Sequence, residues 1–275
     1  MQHKQFIDNW VESILANPVT KQPCASDNFE IRNGVVDARV YLKNSPGYYA
    51  WLDGQDEYEN WAKSGAGYDN KVENYTKEIE YDKPVYDQFK ISGDFLDCGG
   101  GVSTVREFLP PDVRSVSLDP YIDAPFEVPK ARFEAYKSLS SPLNFLAANA
   151  EFLPFRHQSF DWVHMRSMLD HVQVPDLCLK EAHRVLKNEA SLLVGTYVEG
   201  GKTGRRKEVK KFIKDLIKSI LEHIGIEKYK DHHVWRPTYS SLIKLITDNG
   251  FEVVDEYWQP HFKDTVVYIR AKKIS

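Results

Sequence analysis

Apolar positions fall into two regimes along the chain. Phe6, Ile7, Trp10, Val11, Ile14 and Leu15 recur at helical spacing and predict an amphipathic helix over residues 2–16, ended by Asn17-Pro18. Two short strand-like runs, 29–31 and 35–42, flank Asn33-Gly34, a pair suited to a tight hairpin. Residues 48–86 predict two helices broken at Gly65-Ala66-Gly67 and are crowded with aromatic rings, among them Trp51, Tyr58, Trp61 and Tyr75. Those rings either pack the helices onto a core or form a lid facing a ligand.

From Asp94 the pattern changes to alternating strands and helices. Residues 95–98, 115–118, 143–148, 162–165 and 191–197 read as strands, and 176–187 as a helix with Pro175 at its mouth. Strands joined by crossover segments predict a parallel sheet covered on both faces. An amphipathic helix follows over 207–224, with lysines opposite its apolar stripe. Thr238 caps a further helix stopping at Asn249-Gly250, and residues 251–257 and 265–271 read as an antiparallel strand pair.

Composition narrows the class. The chain has 275 residues, 42% hydrophobic and 28% charged, which suits one large globular domain with an appendage. A net charge of −4 argues against a dedicated nucleic-acid binder. No apolar run approaches the roughly 20 residues that span a bilayer, and the first residues lack a signal-peptide core. Cys24, Cys98 and Cys178 form neither a disulfide framework nor a ligand pair, so the expected setting is reducing and cytoplasmic.

The chemistry concentrates in a few stretches. Phe95 to Val102 reads FLDCGGGV: an apolar strand, Asp97, three glycines, then a helix-compatible run from Ser103. Such a turn brings backbone N–H groups close to a ligand. Asp119 ends the next strand, where a carboxylate can accept both hydroxyls of a ribose or simply face water. Asn149 and Ala150 follow the third strand, within Ala148-Asn149-Ala150-Glu151-Phe152-Leu153-Pro154-Phe155. Phe160-Asp161 opens the fourth strand, Met165 closes it, and His171-Val172 and Glu181-x-x-Arg184-Val185-Leu186-Lys187 lie beyond.

Together these stretches resemble the class I S-adenosylmethionine-dependent methyltransferases, in the broad group acting on small molecules, quinones, sterols and lipids. The family's acid-x-Gly-x-Gly motif falls on Asp97, Gly99 and Gly101, with Ser103 in place of its third glycine and Gly100 at a variable position. Its ribose acid falls on Asp119, and its D-A-x-x-L-P-F run on Asn149, Ala150, Leu153, Pro154 and Phe155. A nicotinamide cofactor fits less well, because Thr104 stands where the dinucleotide fingerprint wants Gly or Ala. Residues 31–37 also resemble the end of a zinc-ribbon leader, but its paired cysteines are missing and no zinc is implied.

The resemblance implies a Rossmann-like α/β fold: a seven-stranded sheet of order 3-2-1-4-5-7-6 with the last strand antiparallel, helices on both faces and an N-terminal helical cover. Residues 1–88 form the expected cover or lid. Residues 89–275 form the expected methyltransferase domain, with a helical insertion at about 198–240. The implied cofactor is S-adenosyl-L-methionine, with S-adenosyl-L-homocysteine as product, held by Asp97, Gly99, Gly101, Asp119, Asn149, Ala150 and Met165.

The implied activity is methyl transfer by in-line displacement to a small-molecule acceptor. His171 is the candidate base, should the acceptor need to lose a proton. Tyr75, Arg166 and His233 are candidate acceptor contacts, and His164 reads as a core residue. His232 and His233 have no cysteine or acid at ligand spacing, so no metal site is expected. A cofactor-binding or scaffold protein without turnover is the alternative. A nucleic-acid methyltransferase is disfavoured, since Met165-Arg166-Ser167-Met168 replaces the acid-or-Asn-Pro-Pro-aromatic pattern.

Overall fold

The computed structural model describes residues 6–45, 48–65, 70–204 and 235–274. The helix anticipated over 207–224 and the pair His232-His233 lie outside the described residues, as do residues 2–5 of the first anticipated helix. Among the described residues no helix is long and apolar enough to cross a membrane.

Among the described residues nine strands form one sheet. They are β1 (Glu30–Arg32), β2 (Val35–Asp37), β3 (Asp94–Cys98), β4 (Arg114–Asp119), β5 (Phe145–Ala147), β6 (Phe160–Arg166), β7 (Leu186–Tyr197), β8 (Phe251–Trp258) and β9 (Val266–Lys273). The order is β1-β2-β5-β4-β3-β6-β7-β9-β8. This corrects the expected seven-stranded sheet: two N-terminal strands extend it at one edge and alter the order there.

The physical reason lies in β5. Its three residues are fully buried, so a bare edge would expose apolar side chains and unpaired backbone. The β1–β2 hairpin covers that edge, β2 pairing parallel with β5 through Val36–Leu146 and Asp37–Ala147. Asn33 and Gly34 both take positive φ, 52° and 85°, as a tight hairpin turn requires. At the other edge β9 runs antiparallel to both β7 and β8.

The central strands are buried on both faces, as parallel strands in a covered sheet must be. Six helices are described: α1 (Asn9–Ile14), α2 (Tyr48–Ser64), α3 (Val72–Phe89), α4 (Lys130–Ala135), α5 (Pro175–Val185) and α6 (Tyr239–Asp248). Helix α1 stops earlier than its apolar spacing predicts. Leu15 and Ala16 turn instead to bridge Phe155 and Pro154, the Ala16 N–H donating to the Pro154 carbonyl at 2.9 Å. The helix expected from Ser103 shrinks to one 3-10 turn, Thr104–Glu107. Ser103 is left-handed at φ 54°, β-branched Thr104 and Val105 follow it, and Pro110-Pro111 close the segment.

One buried ion-pair cluster locks two of the sequence stretches together. Glu181 and Arg184 are one turn apart on α5. Arg184 donates to the carbonyls of Phe155 (2.6 Å) and Leu153 (2.9 Å) and pairs with Glu181. Glu181 accepts from the Leu153 N–H and from Lys21. The Leu153-Pro154-Phe155 stretch is therefore held by α5 as scaffold, with the first helix anchored to it. Breaking a buried pair by removing one partner strands the other. Arg184→Met should lower unfolding stability by about 3 kcal/mol, checked by urea denaturation; a change below about 0.5 kcal/mol, the usual scale of a surface substitution, would refute the role.

Candidate active site

The sheet order reverses between β4 and β6 on either side of β3, and ligands in open α/β sheets bind at such a switch point. A cavity of about 660 Å³ opens there, at the carboxyl ends of these strands.

Its floor is the loop after β3. In the register of the sheet Asp97 lies beside His164 of β6, and the two bond at 2.8 Å, Asp97 Oδ1 to His164 Nδ1. The Ser103 hydroxyl donates to Asp97 Oδ2 at 2.7 Å. Both oxygens of this carboxylate, only 3% exposed, are thus engaged within the protein. A Cβ on Gly100 would sit 2.1 Å from Asp97 Oδ2, a separation no side chain can take. Gly100 is therefore sterically required here, although it falls on a variable position of the motif. Gly99 and Gly101 hold φ of 68° and 51°, which glycine adopts without strain.

Asp119 ends β4 and lines the cavity. Its Oδ2 accepts from the Gly101 N–H (3.0 Å) and its Oδ1 from the Tyr121 N–H (2.9 Å), which fixes the carboxylate's plane. Burial pushes this carboxyl up to about 6; the backbone donors oppose the shift, while Glu59 and Asp97 add to it. Asn149 and Ala150 also line the cavity, and Asn149 Oδ1 is buried with no hydrogen-bond partner. It is an acceptor awaiting a donor.

Arg166, Ser167 and His171 line the other end. The Arg166 guanidinium is held by Asp82 (2.5 Å) and Glu78 (3.5 Å), both on α3. It thereby ties α3 to β6, with its charge offset by two acids. His171 Nε2 lies 2.9 Å from the Tyr58 hydroxyl of α2 and 3.6 Å from Asp170 Oδ2.

Two anticipated contacts are corrected. Tyr75 is fully buried on α3, packed with Ala131 and Tyr136, and does not line the cavity. Met165 points into the core from β6; Met168, a few residues on, closes over Gly99 instead. His164 is buried as expected, and it also serves as the partner of Asp97. His233 lies outside the described residues.

Trp51, named above among the rings of a possible lid, lines the cavity; Gln55 and Glu59 of α2, Arg132 of α4, and Gln259 and Phe262 before β9 also line it, and the sequence motifs did not single them out. For α2 a signal existed: positions 51, 55, 58, 59 and 62 make one helical stripe, and it faces the void. Arg132 and Gln259 sit in no motif or periodicity that marks them.

Comparison with known proteins agrees with this geometry. A family model described as a methyltransferase domain matches residues 96–194. The ubiquinone/menaquinone biosynthesis C-methyltransferase UbiE of Rhizobium rhizogenes is 45% identical over 65 residues, 24% of this chain and 25% of its own length. The protein of the same name from Shewanella oneidensis is 29% identical over 173 residues, 58% of this chain and 66% of its own length. The chain thus spans only part of the curated relatives it matches. Among solved structures, the 1,6-didemethyltoxoflavin-N1-methyltransferase of Burkholderia thailandensis, determined with bound 1,6-didemethyltoxoflavin and S-adenosylhomocysteine, shares the fold. Its TM-score is 0.54 at 16% identity, over 88% of this chain and 94% of that one. Family match, switch-point cavity and glycine-loop geometry agree: residues 96–194 match a methyltransferase domain.

Proposed function

We propose that this chain transfers a methyl group from S-adenosylmethionine to a small-molecule acceptor. The observation that carries the reading is that one cavity joins the loop of Gly99 and Gly101, Asp119 and Asn149 at one end to Arg166, His171 and the α2 rings at the other. At about 660 Å³ it falls within the range of small-ligand sites, and it is lined by both apolar and polar groups.

The residues fit the cofactor. Asp119, already oriented by two backbone N–H groups, would accept the ribose hydroxyls. The unpartnered Asn149 Oδ1 would accept from the adenine amine. Gly99 and Gly101 leave room for the methionine end, while Asp97, bonded to Ser103 and His164, shapes the loop. When bound, the cofactor supplies a methyl group activated by a positively charged sulfur. The chain's own work is to orient the acceptor, exclude water and, where the acceptor is protic, take its proton at His171.

Asp119 gives the reading a pH signature. Its carboxyl is raised to about 6 in the protein alone, so the neutral form gains stability below that pH. The stability this lends the cofactor-free fold is fully present at acid pH and is lost as pH rises through 6. Ribose hydroxyls favour the ionised form, so affinity moves the other way. Calorimetric titration with S-adenosylhomocysteine should show binding that strengthens by up to about tenfold between pH 5 and 7. Asp119→Asn should bind more weakly and flatten that dependence; an unchanged slope would sink the assignment. For His171, His171→Ala should cut turnover of a protic acceptor about 100-fold with cofactor affinity intact. A loss under about fivefold would return His171 to a structural role.

A further inference from the structure

The wall of the cavity formed by α2 holds a group that the reading above leaves without a task. Tyr58 comes from the N-terminal segment, far in sequence from His171, yet its hydroxyl lies 2.9 Å from His171 Nε2. The two rings meet edge to face, with centroids 4.5 Å apart. Asp170 Oδ2 sits 3.6 Å from the same nitrogen. The side chain of His171 is largely buried and Tyr58 is 41% exposed, so the phenol approaches the imidazole from the open side.

This arrangement is a phenol bound to an imidazole. Either tautomer of His171 fills Nε2 with the Tyr58 oxygen, so in this state the nitrogen cannot also take an acceptor's proton. The neighbouring stripe of α2 presents Trp51 and Trp61 to the same void, and Phe262 lines it as well. A void lined by such rings and by one acid–base nitrogen suits a planar, hydroxyl-bearing ring.

We propose that Tyr58 is the resident stand-in for the acceptor: it occupies the proton-accepting nitrogen of His171 until an acceptor with an acidic hydroxyl on a planar ring displaces it. The proposal rests on the assignment of this cavity to methyl transfer and names the acceptor's chemical class. On displacement the acceptor's O–H bond breaks, its electron pair stays on oxygen, and the proton passes to Nε2. The imidazolium so formed faces the Asp170 carboxylate, which stabilises it. Tyr58 is then a positioning residue: it keeps the imidazole oriented in the empty cavity and competes for it with the acceptor.

The test uses the full chain with bound S-adenosylhomocysteine and 4-nitrophenol as probe, since the anion of this phenol absorbs at longer wavelength than its neutral form. The wild-type chain should bind the probe saturably and show the anion band, and His171→Gln should lose the band. Tyr58→Phe keeps the ring and removes the competing hydroxyl, so it should bind the probe about fivefold more tightly, the weight of one ordinary hydrogen bond. Probe affinity that is unchanged or weaker in Tyr58→Phe, or an absence of saturable binding at millimolar probe, overturns the proposal. A purely structural Tyr58 predicts weakening, the opposite sign. Calorimetry of S-adenosylhomocysteine on the same samples separates the two readings. If the cofactor product does not bind, the methyltransferase assignment fails. If it binds and the probe behaves otherwise than stated, only the role of Tyr58 fails.

Discussion

The site depends on one buried carboxylate. Asp97 lies one residue before the end of the central strand with both oxygens engaged, one by the Ser103 hydroxyl and one by the His164 ring. A buried carboxylate is tolerated only where its lone pairs are met, so these partners are conditions of its presence. The consequences spread outward. Gly100 must lack a side chain because the carboxylate fills that space. Ser103 takes a left-handed backbone as its hydroxyl reaches Asp97, and this replaces the expected helix with a short 3-10 turn. His164 passes the constraint on, its Nε2 lying 3.2 Å from the Tyr86 hydroxyl on α3. The floor of the cavity and one of its walls are thus one hydrogen-bonded unit.

Much of the architecture was legible because parallel strands buried on both faces leave a plain mark. Residues 95–98 and 162–165 read as apolar runs and became β3 and β6, with ends shifted by only a residue or two. The Asn33-Gly34 hairpin was legible too, but not its destination. No local pattern says that the edge of β5 needs a cover, since that need arises from burial fixed by distant residues. The motif stretches split by physical role. Asp119 and Asn149 line the cavity, whereas Leu153 to Phe155, Glu181 and Arg184 form a clamp beneath it. The spacing of motif residues marks that a geometry is demanded without saying whether a ligand or the protein itself demands it.

The aromatic segment shows the same limit more sharply. Tyr58 and Tyr75 sit on successive helices of similar composition, and helical periodicity gives each an apolar face. One face turned out to line a void and the other to pack Ala131 and Tyr136. Periodicity reports that a face is covered; it carries no information on whether the cover is protein or ligand.

Charge bookkeeping at the acceptor end bears on what the cavity can select. Arg166 alone would suggest an anionic acceptor, but Asp82 and Glu78 already flank it and offset its charge. Asp82 is almost fully buried, and burial raises its carboxyl above the usual range even with Arg166 adjacent. Taking Arg166 away would strand that acid in a dry environment, a cost of several kcal/mol. The guanidinium thus holds α3 against β6 while also lining the cavity. The rings of α2, Phe262 and the His171 imidazole also line this void. A wall of rings discriminates ligands chiefly by shape.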